Sequence, residues 1–214
     1  MRFNEQGRSM IEMLGVLAIV GVLSVGGIAG YSKAMNKFKT NKLIEQVNMI
    51  STNVRTLYAS QKNYGDLTNG VAIRTGILPN EMLSVAASTV ATPSTFTSGG
   101  ITNAFSGGVF IGPANVKTAT DAGAFIIAMD KIPEASCVSI ATTEWGGDAG
   151  GGLLAMAIAS GAEVDGASTL SASNATAPTG GNIYSIENNE LPISVVKASS
   201  DCSGAENLIV WKYM

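Results

Sequence analysis

A chain of 214 residues with 46% hydrophobic and 14% charged residues is long enough for one sizeable domain or two small ones, and more apolar than a well-solvated enzyme. Its net charge of −3 hides a division: residues 1 to 61 carry seven Lys or Arg against three Asp or Glu, and residues 62 to 214 carry six against thirteen. An acidic C-terminal part argues against nucleic acid as its partner, because phosphate contacts need Lys and Arg.

Residues 1 to 7, MRFNEQG, read as a polar leader. In a secretory signal the small residue of the cleavage site follows the apolar core. Here Gly7 precedes it, so a cut at Gly7 would leave the apolar segment on the mature chain. From Met13 to Ser32 no charge occurs, and twenty residues make about 30 Å of helix, enough to cross a hydrocarbon core. The spacing therefore predicts a transmembrane helix over 13–32.

Glu12 stands at the head of this run. A carboxylate there costs a few kcal/mol unless it reaches the interface or meets a cation, which marks it as a functional group. Alternatively it sits in the first helical turn, where the dipole favours an anion and the side chain can snorkel. The residues alone leave both readings open. Lys33, Lys37, Lys39 and Lys42 flank the far end, and the positive-inside rule alone would put the C-terminal part in the cytoplasm. The cysteine pair and the leader-like start point instead to an exported head, and that orientation is preferred.

Beyond Tyr31 the apolar residues thin to a stripe of Tyr31, Ala34, Met35, Phe38, Ile44, Val47, Ile50 or Ser51, Val54, Leu57 and Tyr58. Spacings of three and four mark an amphipathic helix continuing the first segment. No proline interrupts residues 1 to 78, so one helix is expected over 8–61, with a head over 62–214. Gly26 and Gly30 form GxxxG, which lets helices approach closely. Asn63 to Asp66 and Asn69-Gly70 carry turn chemistry.

Residues 71 to 104 read as a connection with one short helix near Asn80 to Ala87. Short apolar or alternating runs follow at Val109 to Ile111, Ala124 to Met129, Ile183 to Ile186, Ile193 to Val196 and Leu208 to Tyr213. Such runs after one long helix predict an α+β fold, an antiparallel sheet packed on the helix's C-terminal half. Pro133 to Thr143 reads as a helix with proline in its first turn. Gly146 to Gly181 reads as a surface excursion, in which Leu153 to Ile158 is apolar enough for a buried strand or helix turn.

Cys137 and Cys202 are too far apart for a CxxC motif. In an exported head a disulfide is the default, closing a loop of about 65 residues worth roughly 4 kcal/mol, and two buried thiols are the alternative. The chain has no histidine, which removes Ser-His and Cys-His catalysis and the commonest metal ligand. Asp121, Asp130 and Asp148 lack EF-hand spacing, so no metal site and no cofactor is expected. Asn174-Ala175-Thr176 matches a glycosylation sequon.

Gly7, the apolar pair before Glu12, and the long apolar helix to Tyr31 together resemble the processing motif of type IV prepilins. The resemblance implies cleavage by a prepilin peptidase between Gly7 and Arg8 and methylation of the new amino terminus. Glu12 then becomes the fifth residue and neutralises the terminus of a neighbouring copy. Arg8 departs from the Phe, Met or Leu usual at that position and adds a cation beside Glu12. The head is similar in outline to type IVb pilins, with an Asn-x-Phe turn at Asn103 to Phe105, a cysteine in a helix and a second near the carboxyl end.

That likeness implies an αβ-roll, with the stretch from Cys137 to Cys202 exposed on a filament. It implies a non-enzymatic structural subunit, held in the inner membrane and then assembled with copies of itself into an extracellular pilus. The pilus would serve attachment to a cell-surface receptor or aggregation. A minor pilin, a secretion pseudopilin and a signal-anchored periplasmic protein are the alternatives.

Overall fold

The structure, a computed structural model, describes residues 10–61, 63–95, 99–116, 121–145, 152–164 and 181–214. Helix α1 is continuous over Met10–Tyr58. The chain divides into two units, Met1–Phe38 and Lys39–Met214, and α1 contributes to both. It stops at Tyr58, short of the expected residue 61. There the N–H of Gln61 bonds the Tyr58 carbonyl at 2.9 Å, a tighter turn than the helix makes, and the Tyr58 ring packs on Tyr64 with centroids 5.2 Å apart.

In the second unit α1 buries Leu43, Val47, Ile50 and Val54 together with Thr40, Gln46 and Ser51. The face is rotated from the expected stripe: Leu43 is fully buried and Ile44 only partly, while Phe38 and Leu57 are exposed. Each buried aliphatic side chain contributes about 2 kcal/mol.

Five strands form one antiparallel sheet: β1 (Val109–Ala114), β2 (Ala124–Ile132), β3 (Leu153–Ser160), β4 (Gly181–Ser185) and β5 (Asn207–Tyr213), in the order β1-β2-β5-β3-β4. Alternation along the strands sorts their side chains onto two faces. Phe125, Ile127, Met129, Met156, Ile158, Ile209, Trp211 and Tyr213 share a core with the α1 side chains. Ala114, Ala124, Ile126, Ala128, Ala157, Ala159, Leu208 and Val210 form a second, smaller-residue cluster.

The fold is therefore α+β as expected, and three local expectations are corrected. Asn69-Gly70 does not end a turn but opens helix α2 (Asn69–Thr75), because the Thr68 hydroxyl accepts the Val71 N–H at 3.1 Å as an N-cap. Ile193 to Val196 is not a strand. Ser194 caps helix α4 (Val195–Asp201), which turns Ala198 inward and leaves Val195 and Val196 exposed. Leu153 to Ile158 takes the buried-strand form of the two allowed by its apolar run: it belongs to β3, where β5 and β4 satisfy its backbone on both sides. The helix expected near Asn80 to Ala87 is two short 3-10 turns, Asn80–Met82 and Ala87–Thr89. The helix at Pro133 to Thr143 is observed as α3 (Glu134–Ala141), with Pro133 at its N-cap position.

Candidate assembly interface

In the first unit the described residues run from Met10 to Phe38, and almost every side chain there is exposed. Met10 is 85% exposed, Val22 75% and Val25 71%, whereas a soluble monomer rarely leaves such a contiguous apolar surface. This is the one helix, among the described residues, long and apolar enough to cross a membrane. Its polar chemistry is turned inward: the Ser24 hydroxyl donates to the Val20 carbonyl at 2.7 Å. At Gly26 and Gly30 an added Cβ would meet nothing within 4 Å, so the surface is open to another backbone.

Glu12 lies in the first turn of α1 and is exposed. The surface thus presents apolar side chains on all sides with one acid near its start. Gly7 and Arg8, the expected cleavage pair, lie outside the described residues, as do Asp148 and the sequon at Asn174.

The second unit is built differently, with buried polar side chains serving its own backbone. Asn69 donates through Nδ2 to the carbonyls of Gly99 and Val109, each at 2.9 Å, and its Oδ1 accepts the Ile111 N–H at 2.7 Å. It thereby imitates a neighbouring strand along the edge strand β1, which would otherwise offer open pairing groups. Asn103 organises the turn that follows residue 102. Its Oδ1 accepts the N–H groups of Phe105 and Gly107 at 2.8 and 3.0 Å, and its Nδ2 donates to the Asp130 carbonyl at 2.8 Å.

Gly107 is required in that turn, since an added Cβ would lie 2.2 Å from the Asp130 carbonyl oxygen. Gln46 of α1 accepts the Ala104 N–H at 3.2 Å, and the Lys39 ammonium lies 5.8 Å from the Phe105 ring centroid. The turn is thus tied to the long helix from both sides.

Cys137 in α3 and Cys202 at the end of α4 form a disulfide with Cα atoms 5.8 Å apart. The segment they enclose is not simply an exposed loop, because it supplies β3 and β4 to the sheet. Next to Cys202, the Asp201 carboxylate accepts the Tyr184 hydroxyl and the Asn182 amide, the latter at 2.7 Å. Burial, and after it the bond to Asp201, push the Tyr184 phenol well above its ordinary value. Burial in the sheet pulls the Lys212 ammonium down, against the opposing pull of Asp121.

The aspartates considered for calcium are engaged locally. Asp121 accepts the Val116 and Gly123 N–H groups, and Asp130 accepts those of Gly108 and Val164. No metal-binding cluster occurs among the described residues. Sequence reasoning missed Gln46 and Asn69. For Gln46 the one available signal was a polar residue on a helix next to the core-facing Val47; Asn69, read as part of a turn, gave none.

Residues 37–212 match the PilS N terminal family. The chain belongs to this family and is a type IV pilin. The pilin is 29% identical over 147 residues to the major structural subunit of bundle-forming pilus of Escherichia coli O127:H6, with 69% of each chain covered, and equally to that of Escherichia coli O111:H-. Among solved structures it is similar to a type IV b pilin from Salmonella typhi, at 16% identity, 81% and 98% coverage and TM-score 0.49. It is also similar to TcpA, a type IV pilin from Vibrio cholerae El Tor biotype, at 16% identity, 82% and 99% coverage and TM-score 0.43. The family match begins at Lys37, so a role for the apolar segment before it rests on that segment's own chemistry.

Proposed function

We propose that this pilin is a structural subunit of a type IV pilus, assembled with copies of itself through the N-terminal part of α1. One observation carries the reading: an uncovered apolar helix surface over Met10 to Tyr31 on a chain whose head has closed its own core. A surface of that size needs a lipid or protein solvent, and identical helices supply one when the chain leaves the bilayer.

The finer assignments follow from that role. A prepilin peptidase cuts between Gly7 and Arg8, removing residues 1–7, and residues 13–32 hold the subunit in the inner membrane until assembly. Glu12 neutralises the new amino terminus of a neighbouring copy, which offsets the cost of both charges in an apolar filament interior. The head over 62–214 then faces outward and carries attachment or cell-cell aggregation. The test is mass spectrometry of the native protein together with electron microscopy of sheared surface material. The expected result is a chain lacking seven residues within filaments, with Gly7→Ala abolishing the mass change. A full-length, unprocessed chain with no filaments would overturn the proposal.

A further inference from the structure

The uncovered side of α1 carries few charges, and two of the four lysines nearby are already engaged. Lys42 pairs with Glu81 at 3.0 Å, and Lys39 lies over the Phe105 ring. Lys33 and Lys37 remain, both exposed and in no ion pair among the described residues. Between Asn41 and Leu57 the exposed positions of α1 are Asn41, Glu45, Asn48, Met49, Thr52, Thr56 and Leu57, with Glu45 their one charge. Thr52 and Thr56 donate their hydroxyls to the Asn48 and Thr52 carbonyls at 2.8 and 2.9 Å, so these two positions turn their donors back on the helix, while Asn41 and Asn48 present neutral amides. An exposed face with one acid and no exposed base fits a neighbour that brings a cation.

We propose that Lys37, with Lys33, of one pilin docks on Glu45 of a neighbouring copy and so sets the axial stagger between them. The inference rests on the filament reading above and names a second contact, to a neighbour at a larger offset than the one paired through Glu12. Lys37 precedes Glu45 by eight residues and Lys33 by twelve, so parallel copies meet at offsets of about 12 to 18 Å. The contact is heterologous, each copy giving its lysines to one neighbour and its glutamate to another, which is the kind of interface that propagates into a filament. Charge complementarity on one helix favours a second copy as the occupant, since a lipid headgroup satisfies the lysines and leaves Glu45 without a role.

The decisive experiment is zero-length carbodiimide cross-linking of native filaments, read by mass spectrometry. Lys37 and Glu45 of one α1 stand about 12 Å apart along the helix, too far for a direct amide, so a Lys37–Glu45 or Lys33–Glu45 link reports two copies. Lys42–Glu81, in contact within one chain, is the internal control. The variant pair K33E/K37E should lower filament yield at least about tenfold by placing like charges together, and adding E45K should restore it. Filaments at the normal yield from K33E/K37E, or wild-type filaments that show the control link and no inter-copy link, overturn this inference and leave the filament reading standing. The same holds if K33E/K37E leaves the membrane fraction before assembly and E45K does not rescue it, which assigns the lysines to lipid headgroups. A wild-type chain that forms no filaments overturns both.

Discussion

The two units of this pilin solve the same physical problem in opposite ways. In the first, the helix satisfies its own backbone, Ser24 bonds back to its own helix, and the apolar side chains are left to the surroundings. In the second, a sheet and helices cover one another, and buried Asn69, Asn103, Asp130 and Asn207 satisfy the turns and edges that the ladders leave open. The first unit is stable only in a solvent of lipid or other copies; the second carries its stability within itself. Lesions in the first should therefore spare the fold and abolish assembly, and lesions in the second should act on the fold first.

Glu12→Val is the largest test of that separation. On the pairing proposed above, removing one partner of a buried charge pair costs about 3 to 5 kcal/mol, more than about a hundredfold in the equilibrium for adding each subunit. Filaments should disappear from sheared material while the thermal midpoint of the detergent-solubilised chain stays unchanged. Normal filaments from this variant would show that Glu12 is only a helix-end anion.

The disulfide is the corresponding test on the head. Cys137 and Cys202 close a loop of 65 residues, and on the chain-entropy model their bond stabilises by roughly 4 kcal/mol. Replacing both by serine should lower the thermal midpoint by roughly 10 °C for a domain of this size, with the chain still inserted in membranes. A shift of a degree or two would mean that α3 and α4 hold together without the bond.

How legible each unit was in the sequence follows from the same contrast. A helix that answers to its solvent is written in consecutive residues, so the twenty uncharged positions after Glu12 suffice to announce it. The head is written in contacts between distant residues. β2 and β5 were readable because their apolar runs were long enough to be buried on both faces. β3 is half legible: its apolar run inside glycine-rich sequence allows a buried strand or a helix turn, and only β5 beside it decides for the strand. α2 and α4 were misread because Asn69-Gly70 and Val195-Val196 match turn and strand preferences, whereas Thr68 and Ser194, the caps, decide the matter. Glu12 was legible as an anomaly, and Gln46 was not, since its partner Ala104 lies 58 residues away.

A smaller effect should come from Asn103→Ala. The substitution deletes two acceptor bonds and one donor bond and leaves the N–H of Gly107 buried without its partner. An unsatisfied buried group costs about 1 to 3 kcal/mol, so the midpoint should fall by several degrees, less than for the disulfide. Because the turn also receives Gln46, hydrogen exchange at Ala104 and Phe105 should rise in this variant. Unchanged protection there would place the hold on the turn elsewhere, in the Lys39 contact with Phe105.

The smallest effect is one of pH, at Tyr184. Its phenol is raised above the ordinary value by burial and then by the Asp201 carboxylate, so the folded chain keeps a proton that the unfolded chain gives up above about pH 10. The stability contributed by that proton is fully present below about pH 10 and is lost as the pH rises through the folded value, because the native state then binds more protons than the unfolded one. Tyr184→Phe removes the bond to Asp201 and should cost about 1 kcal/mol at neutral pH, while making the alkaline decline shallower. Some decline should remain, since burial raises Tyr213 in the same direction. Thermal midpoints of the two chains should therefore differ most at pH 7 and converge at alkaline pH. Parallel curves would mean that the Tyr184 phenol gives up its proton alike in the folded and unfolded chains, so that neither its burial nor Asp201 holds that proton.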